Sequence, residues 1–399
     1  MTRTSTRTQV GIIGAGPAGL LLAQLLARHG VDSVIVENRS RDYVEARIRA
    51  GVLEQQTVDL LTEAGVGERL HREGLRHDGI HLQWPGERYH LNFPDLCGRS
   101  VWVYGQTEVV KDLIEARVAA GQPLFFDVRD TAVHDVESER PRITFTDAAG
   151  AARELVCDVV AGCDGFHGVS RAAIPEHLRV TWERAYPFAW LGILADARPS
   201  TDELIYSWHP EGFALYSMRS PSVSRLYLQV DPSERIEDWS DDRIWAALQE
   251  RLGLPGWSVS VGPVREKSIT PMRSFVSAPM RHGRLFLAGD AAHIVPPTGA
   301  KGLNLAVADV RMLAEAIVAH ADQARSDLLD AYSDRALARV WRATHFSWWM
   351  TSMLHPVTGP GADPFEHQLQ LSQLRYVTSS RAAAAGLAEN YTGMPFDQV

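Results

Sequence analysis

Three glycine-rich turns, each following a short apolar run, are where this sequence can do chemistry. The first is Gly14-Ala15-Gly16-Pro17-Ala18-Gly19, set between the apolar Gln9–Ile13 and a helical pattern reaching about His29. In such a turn the first glycine bends the chain tightly, the second admits a pyrophosphate to the backbone, and the third lets helix pack on strand. The helix start then presents free N–H groups to phosphate charge. Glu37, at the end of the next strand-like run (Ser33–Glu37), is placed to accept from a ribose hydroxyl. The second turn is Gly162-Cys163-Asp164-Gly165-Phe166-His167-Gly168, followed by Ser170-Arg171. The third runs from Gly289-Asp290-Ala291-Ala292-His293 through Pro297 and Lys301 to Gly302-Leu303-Asn304. A carboxylate at a strand end can hold a polyol hydroxyl, and a helix start can face a ring bearing negative charge. Either later turn alone would be structural punctuation; the three in this order form a dinucleotide-type constellation.

The elements that position these turns are legible in outline. Gln9–Glu37 opens a βαβ unit. Helical patterning recurs at Gly51–Glu63 and Gln106–Ala120, and a buried strand at Asp158–Ala161. From Pro187 to Val261 short aromatic-rich strands dominate: Trp190–Ala195, Leu204–Trp208, Gly212–Ser217 and Ser224–Val230. The first fold then resumes with the strand Gly283–Ala288 and a helix from Gly302 to Ala321, and the tail from Tyr332 is helical with a break at 356–364. The expected architecture is a mixed α/β (α+β) fold: a Rossmann-like domain in two parts (1–180 and 270–350), an inserted, mostly antiparallel β-sheet domain for the substrate (181–269) and a helical C-terminal region (351–399).

Composition excludes several classes. With 399 residues, 45% hydrophobic and 22% charged, the chain is globular and long enough to bury a core. A net charge of −9 argues against nucleic acid and anionic membranes. The apolar Val10–Ala27 run carries too much glycine and proline for a signal or membrane helix, so a cytoplasmic protein is expected. Three cysteines without a C-x-x-C pair give neither a disulfide framework nor structural zinc. His77-x3-His81 finds no carboxylate to complete a metal site, so no metal is expected. Trp348-Trp349 suits a core or a subunit contact.

Together with Arg47-Ile48-Arg49-Ala50-Gly51-Val52-Leu53-Glu54-Gln55, Val103-Tyr104-Gly105-Gln106-Thr107-Glu108 and Phe346-Ser347-Trp348-Trp349-Met350-Thr351-Ser352, the turns resemble the flavoprotein aromatic hydroxylases, most closely the branch acting on 4-hydroxybenzoate, over nearly the whole chain. The resemblance implies a homodimeric monooxygenase that uses FAD, NADPH or NADH, and O₂, and hydroxylates 4-hydroxybenzoate or a ring-substituted relative through a flavin C4a-hydroperoxide. Residue types alone leave an FAD oxidase or dehydrogenase, or a flavin-binding carrier, as alternatives.

Roles follow from the resemblance position by position. Tyr206 assists ionisation of the substrate phenol, His77 passes the proton to solvent, and the Pro297 carbonyl faces the substrate hydroxyl. Arg219, helped by Ser217 and Tyr227, grips the substrate carboxylate; without the resemblance, Arg219 and Arg225 read as solvated strand residues. Gly14, Gly16, Gly19, Glu37, Arg47, Arg49, Gln106, Asp164, Arg225, Asp290, Gly302, Leu303 and Asn304 are assigned to FAD. Arg39, Tyr43, His167, Arg171 and Arg273 are assigned to the nicotinamide dinucleotide, with Asn38 departing from the NADPH-specific pattern. One departure stands out. The family pattern ends in a relay tyrosine, and Phe396 is read at that place; a phenyl ring carries no proton. With Trp208, Tyr216 and Met218 also atypical, the alternative substrate is 3-amino- or 3-hydroxy-4-hydroxybenzoate, hydroxylated at an adjacent ring position.

Overall fold

The computed structural model describes residues 4–47 and 51–396. Its centre is a six-stranded sheet in the order Arg281–His282, Leu285–Leu287, Val159–Gly162, Val10–Ile13, Ser33–Val36 and Leu124–Phe125. All neighbours run parallel except the first pair. Val10–Ile13, Ser33–Val36 and Val159–Gly162 are buried at every position. That fits parallel strands covered on both faces and explains why they read as continuous apolar runs. The helices Pro17–Arg28 and Gly302–Gln323 pack together, and Leu20, Leu22, Leu26, Val307, Val310 and Leu313 join the strands in one core.

A second, eight-stranded sheet has the order His293–Ile294, Val264–Ala278, Val180–Ala195, Val223–Val230, Ala214–Ser220, Leu204–Ser207, Gly79–Trp84 and Glu87–Asn92. It is antiparallel except where Leu204–Ser207 meets Gly79–Trp84. The sheet therefore draws two strands from well before the expected insertion. Its two faces differ by strand alternation. One carries Trp190, Tyr206 and Leu215 into a core shared with the C-terminal helices; the other carries Leu191, Ile205, Tyr216 and Met218 against Ile244, Trp245 and Leu248. The last three belong to the helix Asp241–Leu252, N-capped by Ser240, which the strand-dominated sequence expectation had missed. Three further helices, Asp327–Leu354, Pro364–Ser379 and Arg381–Thr392, complete the chain.

Candidate functional site

The glycine turn is built as the spacing demanded. Gly14 has φ +106°, and a Cβ there would lie 2.3 Å from the Cys163 carbonyl oxygen, so the first turn rests directly on the second. A Cβ on Gly19 would lie 2.0 Å from the Gly14 oxygen. At Gly16, by contrast, a Cβ would meet nothing within 4 Å: open space beside a helix N-terminus, as a phosphate cradle requires. Glu37 reaches back to this loop, accepting from Ala15 N and Arg39 N, each at 2.8 Å. A carboxylate has about four acceptor positions, so capacity remains for a ribose. The N-terminus of the 22-residue helix Gly302–Gln323 is similarly open, with no heavy atom near a Cβ on Gly302, and Asp290 is exposed nearby in sequence. Two open helix starts and exposed acceptors fit a dinucleotide.

One cofactor assignment changes. Asp164 Oδ2 accepts from Ser170 N and Oγ, both at 2.9 Å, while its buried Oδ1 has no hydrogen-bond partner, so this carboxylate keeps an unused acceptor oxygen. The Asn304 side chain is spent on Glu54 N, Thr57 Oγ1, Val52 O and Ala300 O, which leaves only the backbone at the helix start to meet a ligand. Arg47 is exposed, and its carbonyl accepts from Thr107 beside a half-buried Gln106. Arg49 lies outside the described residues.

The residues expected to meet substrate lie on the eight-stranded sheet. Ser217 is opposite Arg225, Leu215 opposite Tyr227 and Tyr206 opposite Leu215, so these side chains share one face. Ser217 Oγ donates to Arg225 O at 2.8 Å. Arg225 is buried, its guanidinium 5.1 Å from the Tyr227 ring centroid, and its Nε and one terminal nitrogen have no hydrogen-bond partner. A buried cation with unused donors is a strong demand for an anion or another acceptor. Gly192 makes the room: a Cβ there would lie 2.9 Å from the Arg225 guanidinium. Half-buried Arg219 feels both Tyr227 and Arg225, and burial lowers its pKa from the usual guanidinium value.

Tyr206 is wholly buried, and its hydroxyl lies 2.7 Å from that of Tyr391. Burial raises both phenols well above their ordinary range, so both are neutral near pH 7. This overturns the expectation about Phe396. The helix Arg381–Thr392 carries Tyr391 into the pocket, and the chain then turns at Gly393 (φ +92°). Arg339 binds the carbonyls of Met394 and Pro395, and Phe396 ends over the guanidinium groups of Arg311 and Arg339, at 4.4 and 5.0 Å. Phe396 is not a pocket wall, and Tyr206 has its phenolic partner five residues earlier. Tyr216 and Met218 also leave the pocket, because alternation points them at the opposite face. Trp208 stays on the pocket-side core, donating to Gln370 at 2.8 Å.

His77 is buried with neither ring nitrogen hydrogen-bonded, and burial pulls its pKa down to about 4. Pro297 is exposed, and its carbonyl accepts from Ala300 N within a short 3₁₀ turn. Sequence reasoning missed the ion pair beneath these groups: buried Lys301 donates to Glu54 at 2.6 Å and to the Tyr391 carbonyl at 2.9 Å. It also missed Asp309, which accepts from Gly289 N and pairs with His293 under the third turn. Lys301 and Glu54 both lay within the quoted motif stretches; only their pairing was invisible.

The nicotinamide candidates form two clusters. Arg171 and Arg273 stack on Phe166, at 4.8 and 3.8 Å, and His167 meets the same ring edge-on at 5.0 Å. Arg39 and Tyr43 pair separately at 5.2 Å, both exposed. Among the described residues, no helix is long and apolar enough to cross a membrane.

Residues 7–347 match the model of a family described as an FAD binding domain. The chain is 50% identical over 393 residues to p-hydroxybenzoate hydroxylase of Acinetobacter baylyi, covering 98% of this chain and 96% of that protein. It is 26% identical over 348 residues to 3-(3-hydroxy-phenyl)propionate/3-hydroxycinnamic acid hydroxylase of Comamonas testosteroni, covering 84% of this chain and 57% of the relative. The crystal structure of p-nitrophenol 4-monooxygenase from Pseudomonas putida superposes with a TM-score of 0.82 at 19% identity over 98% of this chain and 100% of that one, a likeness of fold.

Proposed function

We propose, from the premise that this chain belongs to the FAD-dependent aromatic hydroxylases and is a flavin monooxygenase drawing on a nicotinamide reductant, that its substrate is 4-hydroxybenzoate. The observation carrying this is the combination on one sheet face of buried Arg225, with unused guanidinium donors beside half-buried Arg219, and the two-phenol chain Tyr206–Tyr391. A hydroxybenzoate has the complementary ends. Arg219 grips the carboxylate as a charge-assisted fork, with Ser217 and Tyr227 beside it, and so fixes the ring's orientation. Tyr206 receives the phenol at the other end. The 3-substituted alternatives rested on a missing relay phenol and on Trp208, Tyr216 and Met218; Tyr391 supplies the phenol, and Tyr216 and Met218 face away from the pocket.

Bound FAD, once reduced, activates O₂ for electrophilic hydroxylation of the ring. The protein's part is to make the ring electron-rich by helping its phenol ionise. Tyr206 accepts the substrate proton as it passes its own to Tyr391, which in turn releases its hydroxyl proton toward His77. Because burial holds both tyrosines neutral, neither retains the negative charge, and it stays on the substrate near Arg219 and Arg225. His77, neutral at pH 7, is the acceptor through which the proton leaves. The Gly14–Gly19 loop and the helix starts at Pro17 and Gly302 hold the pyrophosphate and flavin ring, with Glu37 and Asp290 on the ribose and ribityl hydroxyls and Arg47 and Gln106 alongside. Arg39, Tyr43, His167, Arg171 and Arg273 bind the nicotinamide dinucleotide. The enzyme works in the cytoplasm as a homodimer.

The test is NADPH and NADH oxidation with and without 4-hydroxybenzoate, with the product identified. Stimulated oxidation yielding a dihydroxybenzoate is expected. Equal oxidation with peroxide alone would make it an oxidase, and preference for a 3-substituted acid would overturn the substrate assignment.

A further inference from the structure

Away from the flavin and substrate faces, one group of side chains has the donor set of a metal site. His81 and His90 are direct cross-strand partners in the Gly79–Trp84 and Glu87–Asn92 hairpin, with ring centroids 5.0 Å apart. Glu203 arrives from the turn before Leu204–Ser207, the strand pairing parallel with Gly79–Trp84, Leu204 opposite Ile80. One ligand atom from each of the three falls within 4.8 Å of the others. Glu203 is already held: Oε1 accepts from Asp78 N at 2.9 Å while Oε2 faces His90 Nε2 at 2.5 Å. The His90 and Glu203 side chains keep 37% and 16% exposure, so the group is anchored yet reachable from solvent.

The geometry points to a divalent transition-metal site, zinc by its donors, with His81, His90 and Glu203 as ligands and solvent in the fourth position. Two imidazoles and one carboxylate are a common zinc set with an open place, whereas magnesium and calcium prefer oxygen-rich shells. Tetrahedral ligands about 2.1 Å from zinc stand about 3.4 Å apart. Half-exposed side chains can close from 4.8 Å to that spacing by rotation about their own bonds. His90 and Glu203 separate slightly as the metal replaces the proton they share. The Asp78 N–H supplies the outer hydrogen bond that orients a ligating carboxylate. The ligands come from the two strands of the edge hairpin and from the turn leading into Leu204–Ser207, so an occupant staples the edge hairpin to the start of the strand that bears Tyr206. The site lies outside the flavin reading and stands or falls separately from it.

The experiment uses the flavin-loaded protein, stripped with a chelator and titrated calorimetrically with zinc and, separately, with magnesium. Wild type is expected to bind one zinc per chain with a dissociation constant of about 10 μM or tighter, to melt at a higher temperature with zinc, and to ignore magnesium. His81→Gln leaves the His90–Glu203 bond in place, so it should fold normally, yet it is expected to weaken zinc binding at least about tenfold. His90→Gln and Glu203→Gln should do the same. Absence of binding at millimolar zinc, equal affinity in the His81→Gln protein, or binding of magnesium as tightly as zinc would each overturn the proposal.

Discussion

Tyr391→Phe removes one oxygen from the buried phenol pair and leaves the ring packed against Phe93 at 5.3 Å. Turnover of 4-hydroxybenzoate should fall at least about tenfold, the scale of a positioned proton-transfer group, with flavin content unchanged. The same substitution logic at the chain's end has the opposite outcome. Phe396→Tyr should leave kcat within about twofold, because its ring sits over Arg311 and Arg339, away from the phenols. Had Phe396 been the lost relay group, that change would have raised activity. Arg219→Lys replaces a planar fork with a point charge, so KM for the aromatic acid should rise about tenfold or more, with a smaller change in kcat. Steady-state kinetics on the three variants checks all of these.

At the scale of elements, strand alternation decides which residues face the candidate pocket. Ser217 and Arg225 face the pocket, while Tyr216 and Met218, the neighbours of Ser217 in sequence, face the Asp241–Leu252 helix. The glycine turn is the other element with no slack. Gly19→Ala would drive a methyl to 2.0 Å from the Gly14 oxygen, separating helix from strand where the pyrophosphate would sit. We expect a loss of about 1–3 kcal/mol in stability, as for overpacking, and purified protein deficient in flavin. Gly16→Ala meets no protein atom, so it should keep the apoprotein's melting temperature and lose only FAD affinity. Thermal melts of the apoproteins, with flavin titration, separate the two cases.

For the whole molecule, buried histidines set the acid limit. His355 accepts from Trp190 Nε1 at 2.8 Å on Nε2, with Nδ1 3.1 Å from Thr351 O, among Phe188, Phe213 and Trp190. Burial pulls it down to about 3 and His77 to about 4, from an ordinary 6.5. The unfolded chain therefore binds protons that the folded chain refuses. Their contribution is complete above pH 6.5 and is lost as pH falls from there toward 4 and 3, about 3 kcal/mol for His77 and about 5 kcal/mol for His355. Denaturant melts from pH 7 to 4 should show this decline, and His355→Phe should make it shallower.

The dinucleotide half of the fold and its cofactor were legible because they rest on local rules. A strand buried on both faces reads as an apolar run, and of the glycines Gly14 is required by its positive φ, Gly19 by its contact with Gly14 five residues earlier and Gly16 by the need for open space. Residue roles on the substrate face were legible only through family resemblance, since a strand arginine carries no local sign of burial. Tertiary structure alone decided the rest. Tyr391 meets Tyr206 across 185 residues, Lys301 meets Glu54 across 247, and Glu203 meets His90 across 113. Pairings at such separations are set by how sheets and helices pack, and no spacing along the chain encodes them.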